Sequence, residues 1–305
     1  MTATPAERRK PTGPPDGNAP ECGDIREGSP DVTAEPARYV LDGSDEDLRR
    51  LLGISAVLNP TTRTALATVD VRPGWRALEC GCGPLGAMPL LAELVGPSGS
   101  VVGVDFTAST VERARSVVTE LGLRNVDVRV ADINDPAADL GGPYDLAFTR
   151  CFLMHQRDPR HTLTRIRHAL RPGGWLVAME PVPAPPPFSF PPDDTLRVAW
   201  DLLHQAIERG GASPTAVEDL PATADRAGFD VVRLGGCFQP IEPATGYGLH
   251  AATIAAVRER IVASGVATAE ETDEIIDRLR TAGNRGGVQW VTSPVSLTVT
   301  MRNRG

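Results

Sequence analysis

Hydrophobic and polar positions alternate along this chain in two rhythms, one of period two and one of about 3.6. Between about residues 75 and 181 they take turns. The short apolar runs Trp75 to Glu79, Ser100 to Val104, Val126 to Val130, Tyr144 to Phe148 and Trp175 to Met179 read as strands. Between them, Val111, Ala114, Val118 and Leu121 mark a helical stripe ended by Gly122. Leu163, Ile166 and Leu170 mark another, opened by Asp158 and Pro159. Strands alternating with amphipathic helices predict a parallel sheet covered on both faces.

The flanks behave differently. Residues 1–36 are crowded with Pro, Gly and charge and follow neither rhythm, which predicts a disordered tail. From Tyr39 the character changes. Ser44 is placed to cap a helix carrying Leu48, Leu51, Leu52, Val57 and Leu58 that Asn59 and Pro60 should stop, with a second short helix to about Val69. After Met179 a Pro-rich stretch to Pro192 interrupts the alternation. A helix striped by Leu196, Ala199, Trp200, Leu203 and Ile207 follows. A helix near Ala216 to Ala227 and a strand near Asp230 to Leu234 resume the sheet. Helices are then expected from about Leu249 to Ser264 and from Thr268 to Thr281, the second with capping-box spacing of Thr268 and Glu271. A last alternating strand, near Val295 to Met301, lies so soon after a helix that it should enter the sheet antiparallel.

Composition narrows the class. The chain has 305 residues, 41% of them apolar, enough for a large core. No run approaches the roughly 18 apolar residues that cross a bilayer, and the first 30 residues hold no stretch suited to a signal peptide, so a cytoplasmic location is expected. Cys22, Cys80, Cys82, Cys151 and Cys237 are scattered as reduced thiols would be. Cys80 and Cys82 look like half a metal site without a second half, so no metal is expected. A net charge of −8 argues against binding a phosphate backbone.

The most informative segment runs from Ala77 to Gly86, Ala-Leu-Glu-Cys-Gly-Cys-Gly-Pro-Leu-Gly, where a strand ends in glycines and a helix follows. Glycine there admits a ligand close to the backbone. Gly81, Gly83 and Gly86 also satisfy the dinucleotide pattern, which does not decide between cofactors by itself. Glu79 separates the readings: at the strand tip a carboxylate repels a pyrophosphate but attracts the cationic amino acid moiety of S-adenosylmethionine. Asp105 at the second tip can accept both ribose hydroxyls. At the third, Asp132 can bond the adenine amino group while Ile133 packs on the ring.

These residues resemble the class I S-adenosylmethionine-dependent methyltransferases, in the small-molecule branch that includes ubiquinone, menaquinone and natural-product enzymes. The likeness rests on Glu79-x-Gly81-x-Gly83, Asp105, Asp132, Tyr144-Asp145-Leu146 and Leu170-Arg171-Pro172-Gly173-Gly174. It implies a Rossmann-like, doubly wound α/β fold with a seven-stranded mixed sheet in residues 37–305. A helical substrate cap would come from residues 37–72, 182–213 and 237–285. It further implies that Glu79, Gly81, Gly83, Asp105, Asp132, Ile133 and the Arg150 backbone contact S-adenosylmethionine. Leu85 stands where many relatives have a third glycine, with Gly86 one place later.

Methyl transfer can proceed by alignment and exclusion of water, with or without a base. His155 after the fourth strand is a candidate base or a pocket wall, and Glu180 at the fifth strand tip is a second catalytic candidate. Tyr39, Trp200, His204, Phe238 and Tyr247 are candidates for the substrate pocket, with His250 beside them. The lack of an Asn-Pro-Pro-aromatic stretch after the fourth strand favours an oxygen acceptor over nitrogen. The expected partner is a small-molecule substrate, with neither nucleic acid nor membrane; a homodimer stays open. Two rivals also stay open. An NAD-dependent oxidoreductase would need an acid such as a Tyr-x-x-x-Lys pair, yet the only lysine is Lys10. A non-catalytic S-adenosylmethionine-binding protein would bind without turnover.

Removing residues 1–30 should leave the thermal midpoint essentially unchanged, because a segment without periodic apolar positions has little to bury. Calorimetric melting checks this; a drop of several degrees would show that the segment packs on the domain.

Overall fold

The computed structural model describes residues 45–212 and 214–305. The expected tail, Tyr39 and the Ser44 cap lie outside them. Helix α1 (Asp45–Leu66) is followed by β1 (Arg76–Cys80), α2 (Met88–Val95), β2 (Ser100–Asp105), α3 (Ala108–Glu120), β3 (Val126–Val130), β4 (Tyr144–Arg150), α4 (Pro159–Ala169) and β5 (Leu170–Pro181). The second half carries β6 (Ser189–Phe190), α5 (Asp194–Arg209), α6 (Leu220–Arg226), β7 (Phe229–Cys237) and β8 (Pro240–Ile241). It ends with α7 (Pro243–Ala256), α8 (Arg258–Ala263), α9 (Ala269–Asn284), β9 (Trp290–Thr292) and β10 (Ser296–Asn303).

The main sheet has seven strands in the order β3-β2-β1-β4-β5-β10-β7. The first five are mutually parallel, and β10 enters antiparallel to both β5 and β7. This is a Rossmann-like doubly wound α/β fold. Its period-two pattern divides the core: Leu78, Cys80, Val102, Val104 and Ala147 join one apolar cluster, while Ala77, Val101, Leu146 and Phe148 join the cluster on the opposite face. Strand order turns back between β1 and β4, and Cys80 lies level with Val104 of β2 and Thr149 of β4. The carboxyl ends of these strands therefore open side by side at the switch point, where open α/β sheets bind ligands.

A third apolar cluster, including Leu196, Tyr247, Ile254, Ile261, Ile276, Leu279 and Val291, joins α5, α7, α8 and α9 to a small antiparallel sheet, β6-β9-β8. Thr268 and Glu271 form the reciprocal capping box at the start of α9.

Four boundaries differ from the sequence expectation. Pro60 does not end the first helix but sits inside α1, where the Thr61 and Thr62 hydroxyls donate to the Leu58 carbonyl oxygen at 2.8 and 2.9 Å. Leu170 opens β5 instead of closing a helix, since Pro172 disfavours helical backbone at Arg171. The expected helix from Leu249 begins earlier, at Pro243, whose fixed φ suits the first helical position, and breaks at Val257 into α7 and α8. The helix near Ala216 to Ala227 shortens to a turn and the brief α6. The small sheet was not legible at all, because strands of two or three residues carry no alternation to read.

Candidate active site

The turn after β1 is built around glycines at positive φ: +68° at Gly81, +55° at Gly83 and +54° at Gly86. The amides of Gly81 and Cys82 both donate to the Val104 carbonyl oxygen, which fastens the turn to β2. A Cβ on Gly81 would stand 2.3 Å from the Phe152 ring, and one on Gly86 would stand 2.3 Å from Glu79 Oε1. Gly86 thus lets the Glu79 carboxylate lie against the turn. At Gly83 a Cβ would meet nothing within 4 Å, so the backbone there faces open space.

Glu79 is 2% exposed. Its Oε1 accepts the Ala87 N–H at 2.8 Å, while Oε2 is buried without a hydrogen-bond partner. Burial pushes its pKa up to about 7, against the opposing pull of Arg150 and the Ala87 amide. Arg150, itself held below its ordinary value by burial, points its guanidinium at α1. It donates to Asn59 Oδ1 at 3.1 Å, to Thr62 Oγ1 at 2.9 Å and to Ser55 Oγ at 3.1 Å. The sequence suggested a role for the Arg150 backbone; its side chain ties the tip of β4 to α1.

Asp105 accepts the Gly83 amide on Oδ2 at 3.2 Å and the Thr107 amide on Oδ1 at 3.0 Å, and burial raises its pKa against those bonds. The neighbouring Phe106 ring is 43% exposed. Sequence reasoning passed over it, although an aromatic just after an acidic strand tip was the available signal. Asp132 is exposed and accepts the Asn134 amide at 2.9 Å. Ile133 is buried in the cluster with Leu78 and Val104, so its side chain belongs to the core beneath the site.

Beyond β4, Cys151 adopts φ 52°, rare for a residue with a Cβ. Burial pushes its thiol up to about 12, which keeps it protonated near neutral pH. Phe152 then covers Gly81, and a turn at Leu153–His155 follows. Glu180, wholly buried, holds this turn. Its Oε2 accepts the Phe152 amide at 3.0 Å and the Met154 amide at 3.4 Å; its Oε1 accepts the Thr149 hydroxyl and the Phe152 amide, each at 3.3 Å. Burial pushes Glu180 up to about 7, against these bonds. Both oxygens are taken up by these bonds, so Glu180, a catalytic candidate from the sequence, fixes the turn to the end of β4.

His155 is kept neutral, its pKa pulled down to about 4 by burial and then by Arg260, His204 and Arg50. The same turn's Met154 packs with Ile207 and Leu203 of α5 in a small apolar cluster, which joins it to the cap. His204 packs on Trp200 with ring centroids 4.3 Å apart, and His250 meets the same indole edge-on at 6.4 Å. Trp200 donates to the Pro183 carbonyl oxygen at 2.9 Å. His250, pulled down to about 4 by burial, bonds the Thr292 backbone. Two further pocket candidates lie at the cap and the small sheet. Tyr247 is wholly buried in the cap's apolar cluster, and Phe238 is 46% exposed against Phe188 beside the small sheet. Among the described residues, no group of three or more His, Cys, Asp and Glu is arranged to hold a metal, and no helix is long and apolar enough to cross a membrane.

Residues 72–208 match the family described as Methyltransferase domain. A stretch of 126 residues is 36% identical to nocamycin O-methyltransferase of Saccharothrix syringae, covering 41% of this chain and 45% of that one. Another of 216 residues is 33% identical to an uncharacterized 37.1 kDa protein in a transposon of Streptomyces fradiae, covering 70% of this chain and 60% of the other. The chain thus spans about half the length of the curated relatives it matches. Among solved structures, the cyclopropane synthase MmaA2 of Mycobacterium tuberculosis superposes with a TM-score of 0.55 at 18% identity, over 88% of this chain and 96% of that one, and shares the fold.

Replacing Glu180 by Ala leaves the Phe152 and Met154 amides buried without their acceptor, and should destabilise the fold by about 2 kcal/mol. Urea unfolding of wild type, Glu180→Ala and Glu180→Gln checks it, with Gln expected between the other two. An unchanged midpoint for the Ala variant would contradict the role given to Glu180.

Proposed function

The chain carries a methyltransferase domain at residues 72–208, and we propose that it transfers a methyl group from S-adenosylmethionine to an oxygen of a small natural-product or quinone-like molecule. The observation that carries this reading is the buried, unpartnered Glu79 Oε2 next to a turn whose Gly83 faces open space. A lone buried carboxylate oxygen asks for a cationic donor, which an α-ammonium supplies and a pyrophosphate does not.

The other tips extend the fit. Asp105, pinned by two amides, keeps lone pairs for a pair of ribose hydroxyls, and the exposed Phe106 offers a face to an adenine ring. Asp132 stands ready for the adenine amino group. S-adenosylmethionine brings a methyl already activated on a sulfonium, so the protein's task is to align the acceptor and exclude water. Phe152 closes over Gly81, and the Leu153–His155 turn, fixed by Glu180, carries His155 to the acceptor side. The cap of α5, α7, α8 and α9 would cover the acceptor, while the likeness to nocamycin O-methyltransferase supports an oxygen acceptor.

Calorimetry with S-adenosylhomocysteine and, separately, NAD tests the reading. Wild type should bind the first in preference. Asp105→Ala should weaken that binding by about 1.5 to 3 kcal/mol through loss of charge-assisted bonds to the ribose. Preference for NAD would overturn the proposal, and an unchanged dissociation constant in the variant would remove Asp105 from the cofactor site.

A further inference from the structure

His204 lies on α5 one turn after Trp200. Its Nδ1 sits 2.9 Å from the Trp200 carbonyl oxygen. A carbonyl oxygen only accepts, so Nδ1 carries the proton, and in the neutral ring Nε2 is then a bare lone pair. This Nε2 is buried with no partner, in a residue only 7% exposed. Buried acceptors are normally satisfied. The ring is fixed from the other side by the Trp200 indole, and its neighbour Leu203 packs with Met154 of the turn after β4. The orphaned nitrogen therefore belongs to the junction between the cap and the turn that follows β4.

We propose that His204 Nε2 is the proton acceptor for the hydroxyl that receives the methyl group, and that this hydroxyl is a phenol or an enol. The inference rests on the proposed function. In the step, the acceptor oxygen forms a bond to the methyl carbon as the carbon–sulfur bond breaks, and that electron pair stays on sulfur, leaving a neutral thioether. The O–H proton passes to Nε2, and the resulting imidazolium later releases it to water. Burial pulls His204 below its ordinary basicity, outweighing the Trp200 carbonyl, Glu208 and Asp201, which raise it. A weakened imidazole suits an acidic aromatic or enolic hydroxyl and not an alkanol. The indole of Trp200, against the ring, favours the same flat acceptors.

The test uses the full-length protein with S-adenosylhomocysteine and 4-nitrophenol as the acceptor probe. Nitrogen-15 NMR of the wild type, whose five histidines are resolvable with His204→Gln as the assignment control, should show His204 neutral and protonated on Nδ1. Its Nε2 signal should move as 4-nitrophenol is added. The bound probe should show the phenolate absorption band in wild type, and that band should fall at least tenfold in His204→Gln while S-adenosylhomocysteine affinity stays equal. A proton on Nε2 in the free protein, or an equal phenolate band in both proteins, would overturn the proposal. Loss of S-adenosylhomocysteine binding by wild type would instead overturn the reading beneath it, and the proposal with it. The tautomer measurement needs no variant to fold.

Discussion

The architecture of the site depends on a carboxylate kept where carboxylates are costly. Glu79 is the penultimate residue of β1, a strand with parallel neighbours on both sides, and lies near the sheet's switch point with little access to water. One oxygen is satisfied by the Ala87 amide at the head of α2. Arg150, whose charge favours its ionised form, is committed to three side chains of α1. Much of the surrounding backbone follows from accommodating that group. Gly86 has no side chain because Glu79 occupies the place, and the turn is tied back to β2 through Val104 and Asp105. Arg150 also explains why α1 runs on through Pro60: Ser55, Asn59 and Thr62, on either side of the proline, converge on one guanidinium.

A second buried carboxylate works differently. Glu180 has the same raised pKa but meets backbone amides with both oxygens, and so fixes a loop. That loop carries Phe152 over Gly81 and Met154 onto α5 of the cap, so in the proposed function it would link the cofactor side to the acceptor side through one short segment. The two glutamates show that an elevated pKa alone does not identify a functional group. What distinguishes Glu79 is the oxygen left without a donor.

The sheet and its glycine-bearing first turn were legible because each is written locally: apolar runs of strand length, helical stripes between them, and acidic residues at three successive tips. The cap was less so. Its helices were visible from their stripes, but the two-residue strands β6 and β8 have no periodicity, and Pro243 outweighed the stripe in setting where α7 starts. Among site residues, Glu79 and Asp105 stood out because strand ends meet at a switch point. For Glu180, proposed from the sequence as a catalytic candidate, the sequence could not show that both carboxylate oxygens are taken up by bonds to Thr149 and to the turn after β4. For Tyr247 and Phe238 the sequence could not show that one ring lies in the cap's apolar cluster and the other against Phe188, as aromatic residues in a cap serve its core or its surface as readily as a pocket. His204 was seen, but the state of its two nitrogens depends on a carbonyl one turn earlier in the same helix.

The central claim is that Glu79 receives the ammonium group of S-adenosylmethionine. Calorimetric titration with S-adenosylhomocysteine, in buffers of different ionisation enthalpy, measures the protons exchanged on binding. Free Glu79 has its pKa raised to about 7, so below that pH the carboxyl is largely protonated. An ammonium partner lowers the pKa again, which requires the proton to leave. At about pH 6 wild type should therefore release up to roughly one proton per ligand, and affinity should fall as pH drops below about 7, by at most about tenfold per unit. Glu79→Gln should bind more weakly and lose this release. Binding without proton release in wild type, or the same release in the variant, would contradict the account.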